Sequence, residues 1–287
     1  MRGAIAIVAV GGMTIAGVGA ASAASPQWVV AADVLTTRAT TGTSWFADKK
    51  NNGAFFDGSF SGRQALVLRD VLVTDGIRIL NSYAPGTQQP TISEIASNGG
   101  FTYAGAPVNF QIEILYTPAN PAVYGPGVAG TGCTPTLVAG TCYVTLKWQT
   151  IDPGVTWTTA TLDPAIAYTG TTPGWLSTRQ IGSAPITGAS ITTYLTQMNT
   201  TTSPPILLGV GVSIGSGTAN ETAYVETLNY AGAVYNFGVE PPTPPAPVLP
   251  VTGVPIISLL TAGVLLSVTG FGLVALRRRR GKISEPA

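Results

Sequence analysis

Histidine is absent from all 287 positions of the chain. That excludes Ser-His-Asp and Cys-His nucleophilic machinery. With only two cysteines present, no four-ligand zinc set can be assembled either. Charge is scarce as well, at 9% of residues, and unevenly placed. Between Ala24 and Thr252 there are eight basic and twelve acidic residues, a formal net charge of −4 against +1 for the whole chain. A mildly acidic body offers no electrostatic footprint for nucleic acid. The acids form no tight motif. Glycoside hydrolysis needs two carboxylates about 5–10 Å apart. Asp48 with Asp57, or Glu221 with Glu226, would have to meet through the fold to supply them. The odd spacing of Glu221 and Glu226 puts them on opposite faces of a strand. Asp48-Lys49-Lys50-Asn51-Asn52-Gly53, with Asp57-Gly58 beyond, is the one loop with calcium-like ligands. Lys50 fills a ligand position and no acid stands at the twelfth, so it reads as a solvated turn. No catalytic residue, metal or cofactor is expected, and no repeat of about 20–50 residues marks a stack of small modules.

What the chain does contain is alternation. Val108, Phe110, Ile112, Ile114 and Tyr116 alternate with Asn109, Gln111, Glu113 and Leu115, which predicts a strand with one buried and one mostly polar face. Cys142, Val144, Leu146 and Trp148 make a second such row. Ile206, Leu208, Val210, Val212 and Ile214 make a third, whose intervening glycines predict a bulge or a close backbone approach. Further strands are expected at Trp28–Leu35, Ala65–Thr74, Ile77–Leu80, Val155–Leu162 and Ala223–Tyr230. Asp75-Gly76 between two apolar runs predicts a two-residue hairpin, and Ala231-Gly232 a last one before the domain ends near Val239. Helical signal is confined to the capping box Thr91-Ile92-Ser93-Glu94, with Gly99 as its stop, and to Ile191, Tyr194, Leu195 and Met198 at helical spacing. The fold class expected is all-β: a single large antiparallel β-sandwich over 24–239 with one or two short helices.

Cys133 and Cys142 flank turn material in a chain bound for an oxidising compartment, and a disulfide between them is expected. Trp148 shares its face with Val144 and Leu146 and belongs to the core. Trp175, in Thr171-Thr172-Pro173-Gly174-Trp175, has loop composition. It either folds over the core or, if exposed, stacks on a ligand, and Trp45 is the other candidate ligand aromatic.

The termini carry addresses. In 1–23, Arg2 precedes an uncharged apolar run, and Ala21 and Ala23 stand at −3 and −1 of a cleavage site, the pattern of a secretory signal peptide. Near the other end, Pro241 to Pro250 holds six prolines in ten residues, and the spacer 240–248 should be an extended polyproline II arm. Then come Leu249-Pro250-Val251-Thr252-Gly253, an uncharged apolar segment 254–276, and a basic tail 277–287 opened by Arg277, Arg278, Arg279 and Arg280. As a helix the apolar segment would span about 34 Å, enough for a hydrocarbon core of about 30 Å. The arginines would close it on the cytoplasmic side. This order resembles the LPxTG sorting signal of Gram-positive cell-wall-anchored surface proteins. The resemblance implies that a sortase cleaves between Thr252 and Gly253 and joins Thr252 to peptidoglycan, the membrane holding the precursor beforehand.

The resemblance covers the sorting signal and says nothing of the body's activity. A secreted, outward-held β domain with loop aromatics is expected to be a binding module for an extracellular glycan or protein, adhesin-like or carbohydrate-binding, rather than an enzyme. The alternatives are a passive surface coat and, behind it, a wall-bound hydrolase.

Overall fold

A computed structural model describes residues 26–240, apart from 39, 85–86, 127, 129–132, 134–135, 137, 152–153 and 216–219. In chain order its strands are β1 (Gln27–Val29), β2 (Thr43–Lys50), β3 (Ala54–Phe60), β4 (Arg63–Arg69), β5 (Gly76–Tyr83), β6 (Gly100–Gly105), β7 (Asn109–Tyr116), β8 (Cys142–Gln149), β9 (Gly154–Thr161), β10 (Gly174–Ser177), β11 (Ile206–Gly215), β12 (Thr222–Tyr230) and β13 (Ala233–Phe237). They make two sheets. The second, six-stranded sheet runs β10-β8-β7-β11-β5-β2. In the first, seven-stranded sheet β12 is central. Along one edge it pairs with β6, which pairs in turn with β9. Along the other, its first half pairs with β4 (Thr222–Val225) and its second half with β13 (Thr227–Tyr230). Every ladder is antiparallel except β1 with β13, which is parallel. That pair joins the first strand to the last and departs from the purely antiparallel sandwich expected.

The two sheets share one core because alternate residues of each strand turn to the same side. Phe110 of β7 meets Phe101 of β6 and Tyr230 of β12, each with ring centroids 6.4 Å apart. Trp45 of β2 packs edge-on against Tyr235 and Phe237 of β13, both at 5.1 Å. Such aromatic pairs contribute roughly 0.5–1.5 kcal/mol each beyond their buried area. One polar cluster crosses between the sheets: Asn81 Nδ2 donates to the hydroxyls of Tyr230 (3.0 Å) and Tyr235 (3.1 Å), and Tyr83 donates to Tyr230. Burial pushes the Tyr83 phenol up to about 12.

Two of the three short helices among the described residues stand where a capping box or helical spacing was legible. α1 (Ile92–Asn98) opens with Thr91, whose Oγ1 accepts from Glu94 N at 3.1 Å while Glu94 Oε2 accepts from Thr91 N at 2.7 Å. These bonds from Thr91 hold the Glu94 carboxyl below its usual range. α2 (Pro121–Tyr124) is a single proline-led turn, too short to show a period in the sequence. α3 (Ile191–Thr196) is capped by Ser190 and buries Ile191 and Tyr194. Among the described residues no helix is long and apolar enough to cross a membrane. The expected span 254–276 lies outside them.

Three local expectations are corrected. Trp28–Leu35 is not one strand: β1 ends at Val29, a 3₁₀ turn follows at Ala31–Asp33, and Leu35 makes only an isolated bridge to Phe46. Asp75-Gly76 does not join a hairpin, because β4 ends at Arg69 and lies in the first sheet while β5 lies in the second. Asp75 instead shapes the corner between sheets, its Oδ2 accepting from Leu72 N at 3.0 Å. Third, the polar side of β7 is not solvated: Gln111 and Glu113 are each 1% exposed. Ala231-Gly232 does close the last hairpin, with φ of +49° and +80° and Tyr230 paired to Ala233.

Candidate functional site

The side of the first sheet turned away from the core carries a cluster of aromatic rings. Phe55 packs on the core, so Phe56 and Phe60, at odd spacing from it along β3, face outward. Tyr224 likewise lies between Ala223 and Val225, both core residues. Ser61-Gly62, with φ of +49° and +80°, turns β3 into β4 and sets Phe60 beside Arg63. Between Val225 and Thr227 β12 exchanges β4 for β13 as its partner. The freed tip of the β3–β4 hairpin reaches Trp157 of β9. Trp157 Nε1 donates to the Phe60 carbonyl oxygen at 3.1 Å. The rings of Phe60 and Trp157 are edge-to-face at 5.8 Å, and those of Phe60 and Tyr224 tilted at 5.0 Å.

Charge frames the rings. The Arg63 guanidinium sits 4.8 Å over the Trp157 ring and donates from two nitrogens to the Glu226 carboxylate. Held in a fork by Glu226, it fixes the tryptophan's orientation as well as its own. Phe60, Trp157 and Tyr224 are half-buried, Phe56 is 45% exposed and Val155 81%. Two threonines border them: Thr102 of β6 and Thr159 of β9, which bond to each other at 3.2 Å. Ring faces, an ordered ion pair and hydroxyls within one surface can stack on the C–H face of a sugar while exchanging hydrogen bonds with its hydroxyls.

The residues singled out in the sequence fall elsewhere. Trp175 is wholly buried: it lies in β10 opposite Trp148, with its Nε1 donating to the Asp163 carbonyl oxygen at 3.0 Å and its ring 6.2 Å from Phe110. Trp45 is 9% exposed and belongs to the core. Neither can stack on a ligand, so both candidate ligand aromatics are corrected. Thr-Thr-Pro-Gly looked like a loop because it leads into a strand of only four residues. Cys133 and Cys142 are joined in a disulfide with Cα atoms 5.1 Å apart, Cys142 opening β8. Asp48 lies in β2 and pairs with Arg78, whereas Asp57 in β3 accepts from Ala31 N at 2.8 Å. Among the described residues no three acids or thiols gather as a metal site. Ala21, Ala23, Leu249, Pro250, Val251, Thr252, Gly253 and Arg277, Arg278, Arg279 and Arg280 lie outside the described residues.

No family model matches the chain, and no curated protein or solved structure matches it either.

Proposed function

We propose that this chain is a cell-wall-anchored surface protein whose β body binds an extracellular glycan on the Phe60–Trp157–Tyr224 cluster. The observation that carries the binding reading is the half-exposed ring cluster itself. A domain gains nothing by leaving Val155 in water two residues along β9 from a tryptophan pinned by a hydrogen bond and a guanidinium. Threonine hydroxyls and the Arg63–Glu226 pair favour a sugar over a purely apolar partner. The anchoring reading rests on the sequence alone: the LPVTG motif, the apolar segment and the arginine cluster, in that order. Sortase and peptidoglycan are the partners it calls for, with the proline arm presenting the body outward.

The second reading, a passive coat, draws support from the burial of Trp45 and Trp175, which removes the two tryptophans best placed in sequence to serve a ligand. A glycan and matrix-protein array probed with the full chain separates them. A reproducible glycan signal, weakened about tenfold or more by Trp157→Ala with circular dichroism unchanged, supports the binding module. Silence across the array, or a signal indifferent to Trp157→Ala and Phe60→Ala, supports the coat.

A further inference from the structure

The far side of the second sheet holds a different chemistry. Glu113 of β7 accepts from Arg38 Nη2 at 2.6 Å, Arg78 Nη1 at 2.7 Å and the Tyr143 hydroxyl at 2.9 Å. Arg78 also pairs with Asp48 of β2. The two carboxylates and two arginines thereby neutralise one another. Beside them lies a cavity of about 380 Å³, whose walls include Lys147, Arg78, Gln111, Ser213 and Asp75. Four cations line it against two carboxylates, a local excess of positive charge in a body whose formal charge is −4.

Of the three lysines lining it, Lys49 and Lys50 are exposed to water, and Lys147 is the one that is half-buried with no counter-ion among the described residues. It is half-buried in β8, between Gln111 of β7 and Leu176 of β10. Among the described residues no carboxylate pairs with it, since Asp48 and Glu113 are taken by the arginines. Burial, and then the nearby Arg78 charge, push its ammonium below the usual lysine range. A cation that has shed water without gaining a counter-ion costs free energy, which an oxyanion at this spot would return. The same walls also hold acceptors in want of donors. Gln111 Nε2 donates to Ser213 Oγ, yet its buried Oε1 has no partner, and the buried Asp75 Oδ1 has none. Carboxylate or phosphate alone would satisfy the lysine and leave these oxygens orphaned. A hydroxylated acid supplies both.

We propose that this cavity is a second binding site, for a sugar bearing a carboxylate, with the carboxylate seated on Lys147 and ring hydroxyls donating to Gln111 Oε1. It is independent of the aromatic cluster. Its position across β2, β5, β7, β8 and β11 makes it a property of the whole sheet.

The test is calorimetric titration of the full chain in detergent with trigalacturonate, its methyl ester and inorganic phosphate. Trigalacturonate should bind, and the ester should bind about tenfold or more weakly. Lys147→Gln should lose about tenfold or more while melting no lower than the parent chain, and the preference for acid over ester should persist in Trp157→Ala. If Lys147→Gln fails to fold, salt serves instead: raising sodium chloride from 50 to 500 mM should weaken binding about tenfold or more. Equal affinity for acid and ester, binding untouched by Lys147→Gln or by salt, or no binding at millimolar ligand would overturn the proposal. Phosphate bound as tightly as the uronate would overturn its assignment to a sugar. Loss of uronate binding in Trp157→Ala would place the ligand on the aromatic cluster and equally defeat it.

Discussion

A Cβ added to Gly211 would lie 1.9 Å from the carbonyl oxygen of Ile79 on the neighbouring strand. β11 and β5 pair along seven residues at the middle of the second sheet, and Gly211 leaves no room there for a side chain. Gly211→Ala must therefore push β5 away or twist β11. A loss of about 2–3 kcal/mol is expected, seen as a fall of roughly 5–10 °C in Tm. Gly209, two residues earlier, is the control. Its added Cβ would meet Asn81 O and Leu80 Cβ at 3.4 Å, so Gly209→Ala should cost under about 1 kcal/mol. Equal losses at the two sites would contradict the close approach.

The Cys133–Cys142 bridge closes a short loop ahead of β8, with a sequence separation of 9. For a ring of that size the chain-entropy account gives about 2–3 kcal/mol. The Cys133→Ala/Cys142→Ala chain should melt lower by that amount, and reductant should lower the parent to the same point. A parent chain indifferent to reductant would show that the loop is held by other contacts.

Asp70 gives a pH dependence of opposite sign to the common carboxylate. Its Oδ1 accepts from Glu221 N at 2.8 Å, but Oδ2 is buried without a partner. Burial raises its pKa above 3.8; the Glu221 backbone bond opposes this, and the Glu221 and Asp75 charges add to it. The folded state therefore holds this proton to higher pH than the unfolded state does. Stability from this group is present at acid pH and is lost as pH rises through the raised folded pKa. Asp70→Asn keeps the acceptor and removes the charge. It should stabilise the body at pH 7 by on the order of 1 kcal/mol and flatten that part of the profile. Thermal melts of both chains from pH 4 to 7 measure it, and a lower Tm for Asp70→Asn at pH 7 would rule it out.

Where one strand carries its own signal, the sequence was sufficient. β7 and β8 are strict alternations, the Thr91 capping box opens α1, and the glycines of β11 mark both its bulge at Leu207/Gly209 and the contact at Ile79; that bulge turns Leu207 into the core in place of the expected Ile206 and Leu208. Asp75-Gly76 misled because its turn chemistry is local, whereas its flanks pair in different sheets. β2 was hidden because Lys49 cuts its core-facing row to Trp45 and Ala47, while Asp48 on the other face meets Arg78. The aromatic site had no local signal at all. Phe60 and Trp157 are 97 positions apart and meet only because β12 changes partners midway. The charged cavity likewise takes its walls from separate strands of one sheet. The proposed sorting motif is the reverse case: it rests on five consecutive residues and their flanks, all outside the described residues.

On the proposed anchoring, outward display of this body depends on Thr252, and mass spectrometry of the protein released by muralytic digestion of intact cells tests it most directly. The expected mature chain begins at Ala24 and ends at Thr252, amide-linked to a peptidoglycan fragment, and Thr252→Ala should leave the protein in the membrane fraction. A mature chain that still carries Gly253–Ala287 would contradict it.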